Sequence, residues 1–390
     1  MSLQVKKLNK VAEFIRGITF LPKDLVDNFT KDIVGVMRTK NVQKVLDLSD
    51  VWKINKKLVR HKKQYLEEGD LLISSANSWN LVGKTSFVHA LKFPCSFGGF
   101  VTVLRGDEKI INRRYLYYWL VSEKIQTLLR SFSNKTTNIS NLDLKRTYEL
   151  NIPLPSLMEQ QHITAQLDST NNILRLSNET IAKLDDLKKS IFVQMFGDPI
   201  LNSKKIKTKK VKEICNLING LAFKPSEWED KGLPIIRIQN LNNENKPFNY
   251  TQKKFDKKYL IKNGDILFSW SGTPGTSFGC FMWNRENGWL NQHIFKVQLD
   301  TKILNPDFFI LQMNLKINVL IAQAHGGVGL KHVKKGMVES LDLITPTIEE
   351  QNKFSNILNV IKKNQDISKK LYIKKKNLLS SLQHQVFTIN

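Results

Sequence analysis

Ile152-Pro153-Leu154-Pro155-Ser156-Leu157-Met158-Glu159-Gln160 returns in altered form as Leu343-Ile344-Thr345-Pro346-Thr347-Ile348-Glu349-Glu350-Gln351. In both copies a proline precedes a hydroxyl residue, and a glutamate follows three positions later. That spacing is the capping box, in which hydroxyl and carboxylate accept from each other's backbone N–H groups at a helix start. Downstream, Leu167, Leu174 and Ile181 recur at seven, followed by Leu184 and Ile191; after the second copy Leu371 and Leu378 recur at seven, with Ile357, Ile361 and Leu382 nearby. A narrow apolar row of this period suits a coiled-coil seam, and Leu167, Leu174, Ile181, Ile191, Ile361, Leu371 and Leu378 are its expected members. Each helix, Leu157 to Phe196 and Ile348 to Phe387, should run about 40 residues, or about 60 Å. Neither would stand alone in water, so they are expected to pack antiparallel, with a globular part at each end of a pseudo-two-fold rod.

Outward from these helices the chain repeats itself. Val11-x-Glu13 matches Val211-x-Glu213, Gly17-x-x-Phe20-x-Pro22 matches Gly220-x-x-Phe223-x-Pro225, and Arg38-x-x-Asn41 matches Arg237-x-x-Asn240. Gly69-Asp70-Leu71-Leu72-x-Ser74 returns as Gly264-Asp265-Ile266-Leu267-x-Ser269, Asn112-x-x-Tyr115 as Asn305-x-x-Phe308, and Ser190-Ile191-x-x-Gln194-x-Phe196 as Ser381-Leu382-x-x-Gln385-x-Phe387. The order holds throughout, so the chain is a tandem duplication of a unit of roughly 195 residues. Apolar, β-branched runs predict strands at Asp32 to Met37, Leu71 to Ser74, Phe100 to Leu104, Leu233 to Ile238, Asp265 to Trp270 and Phe295 to Leu299. The fold class expected is α+β: two mixed globular parts, 1–155 and 198–346, and two long helical segments, 156–197 and 347–390, forming an antiparallel coiled coil.

Among 390 residues, 60 are Lys or Arg against 35 Asp or Glu, a net charge of +25 that suits a protein neutralising phosphates. Cys95, Cys215 and Cys280 are odd in number and lie far apart, which suggests neither a disulfide framework nor a zinc site and fits a reducing cytoplasm. No run is apolar enough for a signal peptide or a membrane span. Ser78-Trp79-Asn80-Leu81-Val82-Gly83-Lys84-Thr85 resembles a phosphate loop but has Ser where the leading Gly belongs, and the second half does not keep it. Asn305-Pro306-Asp307-Phe308 lacks the second proline of an amino-methyltransferase motif; its mate Asn112 suggests helix capping instead. Glu227 to Lys231, found in one half only, reads as a solvated turn. No catalytic, metal or cofactor site is expected.

Basic clusters at Lys53 to Lys63, Lys204 to Lys212, Lys253 to Lys262 and Lys331 to Lys335 would position a phosphate backbone. Lys369 to Lys376 reads equally as a solvated helix face. Base reading needs Arg, Lys, Asn, Gln, Ser or Thr on loops that reach a groove. The candidates are Arg38, Asn41, Ser75, Asn77, Asn80 and Lys84 in the first half, and Arg237, Gln239, Asn240, Ser271, Thr273, Gln292 and His293 in the second. Arg38 and Arg237 could equally be structural ion-pair partners. The loops Asn134 to Asn138, with Lys135 and Thr136, and Gly326 to Gly329, followed by Lys331, are offered for phosphate contact. Diverged loops would read two unlike half-sites.

The tandem units, each closing on Ile152 to Pro155 or Leu343 to Pro346, then Glu-Gln and a long helix, resemble Type I restriction-modification specificity subunits over essentially the whole chain. Gly220 to Leu241 and Lys183 to Pro199, including Phe196-Gly197-Asp198-Pro199, extend the resemblance; Leu-Ile-Thr-Pro departs from the Pro-rich form. The resemblance implies two target recognition domains that read a bipartite, asymmetric duplex DNA target, one half-site each, with the helices as a ruler. It further implies two docked methyltransferase subunits, and restriction subunits joining through that core. S-adenosylmethionine, ATP and Mg²⁺ would then belong to the partners. Two other classes remain open: the specificity part of a self-contained restriction-methylation enzyme, and an architectural DNA-bridging protein without sequence preference.

Overall fold

The computed structural model describes residues 4–135, 139–324 and 331–388, and its two halves repeat one topology. The first half has a four-stranded antiparallel sheet in the order Ala12–Arg16, Val101–Gly106, Leu71–Ser74, Thr85–Phe87. The second has Cys215–Asn219, Ile294–Leu299, Ile266–Ser269, Gly279–Met282 in the same order. A further sheet sets Ile33–Met37 parallel to Cys95–Phe97, and its counterpart sets Leu233–Ile236 parallel to Gly288–Leu290. All six predicted strands are present, their ends shifted by no more than two residues. Leu71–Ser74 and Val101–Gly106 are buried along their whole length, which is why they read as continuous apolar runs rather than as an alternation.

The repeated motifs are mostly backbone requirements. A Cβ on Gly17 would lie 2.2 Å from the Gly98 carbonyl oxygen, and one on Gly220 2.1 Å from that of Asn291, so only glycine lets these segments touch. Gly69 and Gly264 take φ of +89° and +90°. The aspartate that follows folds back: Asp70 accepts from the Glu67 N–H at 2.8 Å and Asp265 from the Lys262 N–H at 2.7 Å. Each also receives a cation from the next strand. Arg105 donates twice to Asp70, both at 2.7 Å, and Lys296 donates to Asp265 at 2.7 Å.

The long helices run over Leu157–Phe196 and Ile348–Phe387, and both capping boxes close. The Ser156 N–H donates to Glu159 at 2.8 Å and the Glu159 N–H to Ser156 Oγ at 3.3 Å; Thr347 and Glu350 repeat this at 2.9 and 3.4 Å. The bonds from Ser156 and Thr347 hold Glu159 and Glu350 below the ordinary carboxylate range. What the caps contribute is therefore complete above the ordinary carboxylate pKa and is lost as pH falls through the lowered one.

The next residue reaches further. Gln160 and Gln351 are fully buried. Gln160 accepts from the Asn112 N–H at 2.8 Å and donates to the Pro155 carbonyl at 2.9 Å; Gln351 accepts from Asn305 at 2.7 Å and donates to Ile303 at 3.0 Å and Pro346 at 2.9 Å. Asn112 and Asn305 in turn cap the helices Arg113–Leu120 and Pro306–Gln323 with their side chains, as their repeat suggests. One amide thus ties each long helix to the globular part before it.

Two compact units result, Met1–Ser177 with Lys370–Asn390, and Asn178–Lys369, each built from the beginning of one long helix and the end of the other. In the first, Leu167 and Phe387 join Tyr115 and Trp119 in the core, Tyr115 and Phe387 lying 5.3 Å apart. In the second, Phe192 lies 5.6 Å from Phe354 and Phe196 4.9 Å from Phe308, and Gln365 donates to Asp185 at 2.8 Å. The joints between globular part and helix have opposite polarity. Arg114 meets Asp168 at 2.6 Å in one, whereas Asp307 meets Ser355 at 2.7 Å and Lys362 in the other.

The expected seam needs correction in the second helix. Leu167, Leu174 and Ile361 are buried and Ile181 and Ile191 half-buried, but Leu371 and Leu378 are 40% and 41% exposed, as is Ile357 at 39%. Each exposed residue precedes by one a member of the inward row Leu358, Gln365, Tyr372, Leu379, Val386, hence lies about 100° around the helix from it. That row escaped notice because Gln365 and Tyr372 interrupt its apolar character.

Gln160→Ala and Gln351→Ala strip partners from buried backbone groups and should each lower unfolding stability by about 1–3 kcal/mol. Denaturant titration that finds either variant within about 0.3 kcal/mol of the parent would show the clamp to be dispensable.

Candidate nucleic-acid interface

In both halves the strand leading to the repeated arginine ends in the same turn. The Arg38 N–H donates to Asn41 Oδ1 at 2.8 Å, and the Asn41 amide donates to the carbonyls of Asp47 and Asp50 at 2.8 and 2.9 Å. The Arg237 N–H donates to Asn240 Oδ1 at 3.1 Å, and Asn240 donates to Lys246 and Pro247 at 3.1 and 3.3 Å. Asn41 and Asn240 are 0% and 1% exposed. This corrects their expected place on a base-reading surface: the loop's own backbone uses their polar atoms, and they shape the turn from inside.

The arginines are what these turns present. Arg38 lies 4.1 Å over the Trp52 ring, with Asp50 at 2.9 Å, and its side chain is 19% exposed. Lys40 and Arg38 together hold the Asp50 carboxyl down at about 2. Arg237 lies 5.1 Å over Trp228 and donates to Asn249 at 3.0 Å. Each guanidinium is thus held between an aromatic face and a polar partner, Asp50 for Arg38 and Asn249 for Arg237.

Around Arg38 the other first-half candidates are unequal. Ser75 is half-buried and engaged through its backbone, its N–H with Phe100 and its carbonyl with Leu142. Asn77 donates to Ser74 at 3.0 Å and accepts from the Ser78 N–H at 2.8 Å, a turn clamp. Lys84 donates to Gln43 and so ties its loop to the Arg38 turn. Asn80 is exposed, as are Trp79 at 48% and Phe100 at 66%. Ser78 to Thr85 links the short strands Ala76–Asn77 and Thr85–Phe87, so the helix that a phosphate loop requires does not follow. Thr136, the Lys135 side chain, and Gly326 to Gly329 lie outside the described residues.

In the second half, Ser271 is buried and shares a 2.8 Å hydrogen bond with His332 Nδ1, while Ser271–Gly272 pairs with Lys331–His332 as Ala76–Asn77 pairs with Ser140–Asn141. Gln292 is exposed and lies 3.1 Å from His293 Nε2. Thr273 is exposed; Lys331 and Gln239 are half-buried, Gln239 donating to Pro247 at 3.3 Å. Arg237, Ser271, Gln292 and His293 thus converge, with Trp270 and His332 beside them. Reading the sequence missed these last two and Phe100. Aligning Phe100 with His293 through the strands Val101–Gly106 and Ile294–Leu299 would have found Phe100; Trp270 and His332 are brought in by the pairing of Ser271–Gly272 with Lys331–His332.

The basic clusters are partly engaged. Lys63 pairs with Glu13 at 2.7 Å, Lys253 with Glu227 at 3.0 Å and Lys335 with Glu339 at 3.5 Å. Such exposed pairs are worth about 0–1 kcal/mol and exchange readily for a phosphate. Burial pushes the Cys95 and Cys215 thiols up to about 12, so both stay protonated at neutral pH.

Residues 2–186 and 203–375 match the family model of the Type I restriction modification DNA specificity domain. The chain is 24% identical over 372 residues to the Type I restriction enzyme StySPI specificity subunit of Salmonella potsdam, covering 88% of this chain and 78% of that one. To the EcoKI specificity subunit of Escherichia coli K12 it is 25% identical, covering 68% and 60%. To the putative MjaX specificity subunit of Methanocaldococcus jannaschii it is 24% identical, covering 92% and 86%. The fold is similar to the S subunit of a Type I restriction-modification system from M. genitalium, with TM-score 0.59, 13% identity and coverage of 100% and 97%. A chain solved in work on complex assembly and conformational transition of the type I R-M system gives TM-score 0.55, 15% identity and coverage of 98% and 97%.

Asn41→Ala and Asn240→Ala should each cost about 1–3 kcal/mol of stability, because each removes the partner of a backbone N–H and of one carbonyl, Asp47 or Lys246, while Asp50 and Pro247 keep a second donor in Arg38 and Gln239. Asn80→Ala and Gln292→Ala should stay within about 0.5 kcal/mol. Thermal melts that rank the four in the opposite order would refute this division between turn-shaping and surface residues.

Proposed function

From a chain that belongs to the Type I restriction modification DNA specificity family, we propose the following division of labour. The chain is the non-catalytic address of a cytoplasmic restriction-modification complex, and each unit reads one half of a bipartite, asymmetric duplex target. The observation that carries this reading is the repeated arginine turn, set on one scaffold but among different side chains in the two halves. Arg38 lies against Trp52 and Asp50 in a turn that Lys84 tethers through Gln43, whereas Arg237 lies against Trp228 and Asn249 and beside His293, which also faces His332. A shared frame with unlike contacts suits two unlike half-sites. The net charge of +25 supplies the sequence-independent attraction to phosphate.

The long helices are proposed as the dock for two methyltransferase subunits, with restriction subunits joining through that core. Apolar side chains stand out from them: Met158 is 76% exposed, Val360 63%, Ile373 58%, Ile367 56% and Leu176 46%. Apolar side chains left exposed along helices favour a protein partner. S-adenosylmethionine, ATP and Mg²⁺ are assigned to those partners. None of the described helices is long and apolar enough to cross a membrane.

The test is co-expression with a cognate methyltransferase subunit in a methylation-free host, followed by sequencing for N6-methyladenine. Methylation at one interrupted, asymmetric motif is expected only when both chains are present. Modification by this chain alone would overturn the non-catalytic assignment, and a complex that forms but modifies no motif would overturn target recognition.

A further inference from the structure

The second half carries an indole–imidazole cluster that the first half does not repeat. Ring centroids lie 5.4 Å apart for Trp270 and His293, 6.2 Å for Trp270 and His332, and 6.3 Å for His293 and His332. Backbone bonds bring the three segments together: the Trp270 N–H donates to His293 at 3.3 Å and the Val333 N–H to Trp270 at 3.0 Å. In the first half the same bonds join Ser75 to Phe100 at 3.0 Å and Leu142 to Ser75 at 2.8 Å. Ser75, Phe100 and Asn141 therefore stand where Trp270, His293 and His332 stand.

Trp270 Nε1 and His293 Nδ1 are both buried without a hydrogen-bond partner, a condition that native interiors avoid. The titratable and charged groups facing His293 are His332 and Arg237; burial first, then these two, hold its pKa below the ordinary imidazole value. The groups gathered here are a guanidinium, an indole N–H, the Ser271 hydroxyl and two imidazoles that become donors when protonated. An anionic oxygen would answer that surplus of donors and replace the repulsion around His293 with attraction, making the imidazolium the favoured form.

We propose that Trp270, His293, His332 and Arg237 form a phosphate-accepting pocket through which the second unit, and not the first, takes up a proton as it grips duplex DNA. The identity of the ligand rests on the DNA-recognition reading; the existence of an anion pocket does not. Occupancy raises the pKa of His293. Affinity therefore climbs as pH falls through the bound value and levels off below the free one, by at most about tenfold per pH unit for one proton.

Histidine-ring NMR on the full chain tests this, titrated alone, with inorganic phosphate, and with duplex DNA bearing the methylated motif. His293 is assigned from His293→Phe, which installs the residue of the first half, and His332→Asn makes the same exchange at the second imidazole. The His293 midpoint is expected to rise by about one pH unit or more with either ligand. Duplex affinity should rise about twofold or more from about pH 7.5 to about pH 6.5 in the parent and lose that slope in both variants. A midpoint indifferent to both ligands, or variants that keep the parental slope, would overturn the pocket. A midpoint that answers to phosphate while no duplex binds at any pH would leave an anion site standing and overturn its DNA role together with the proposed function.

Discussion

A helix of 40 residues with one narrow apolar row must lay that row against something, and in this chain each long helix meets part of the other. The consequence is unusual connectivity. The core that holds Leu8, Tyr115 and Trp119 also holds Phe387, with Leu379, Leu382 and Val386 packed against it. The first unit is therefore finished only when the last stretch of the chain arrives, a contact that spans nearly the whole sequence. Contacts of such separation carry a high loop-closure cost before they repay it, so folding of the first unit should wait for the second long helix. Gln160 and Gln351 act at the other end of each helix, fixing its start against the globular part before it through buried bonds.

What the two halves share and what they do not follow different rules. Gly17 and Gly220, Asp70 and Asp265, Asn41 and Asn240, Gln160 and Gln351 all act inside the scaffold, where backbone approach or a buried hydrogen bond leaves one residue type. Positions around the short strand pair at the turns differ instead: Phe100 against His293, Asn141 against His332, Ser75 against Trp270. A duplicated unit that keeps its frame and changes its contact surface can present two different chemistries from one architecture. The opposite polarity of the joints at Arg114–Asp168 and Asp307–Lys362 fits the same pattern, since it makes each globular part complementary to its own helix.

The duplication, the strands and the helix starts were legible in the sequence because each rests on a local pattern: spaced motifs, β-branched runs, a capping box. The inward row of the second helix was not, because Gln365 and Tyr372 occupy it and exposed Leu371 and Leu378 offer a more regular spacing one residue away. The site was half legible. Arg38 and Arg237 stood out as repeated cations, but the same repetition drew in Asn41 and Asn240, and repetition cannot tell a residue that touches a ligand from one that holds a loop. His332 and Trp270 went unnoticed for the complementary reason: they belong to one half only, and strand pairing alone brings them together.

If each unit addresses its own half of the target, as proposed, paired surface substitutions should separate the two halves. Asn80→Ala with Phe100→Ala alters exposed side chains of the first unit, and Thr273→Ala with Gln292→Ala those of the second. The methylated motif of each variant complex would be read by sequencing. The first pair should relax one half of the motif and the second pair the other, each leaving the opposite half intact. Both pairs relaxing the same half, or both weakening methylation evenly across an unchanged motif, would contradict it.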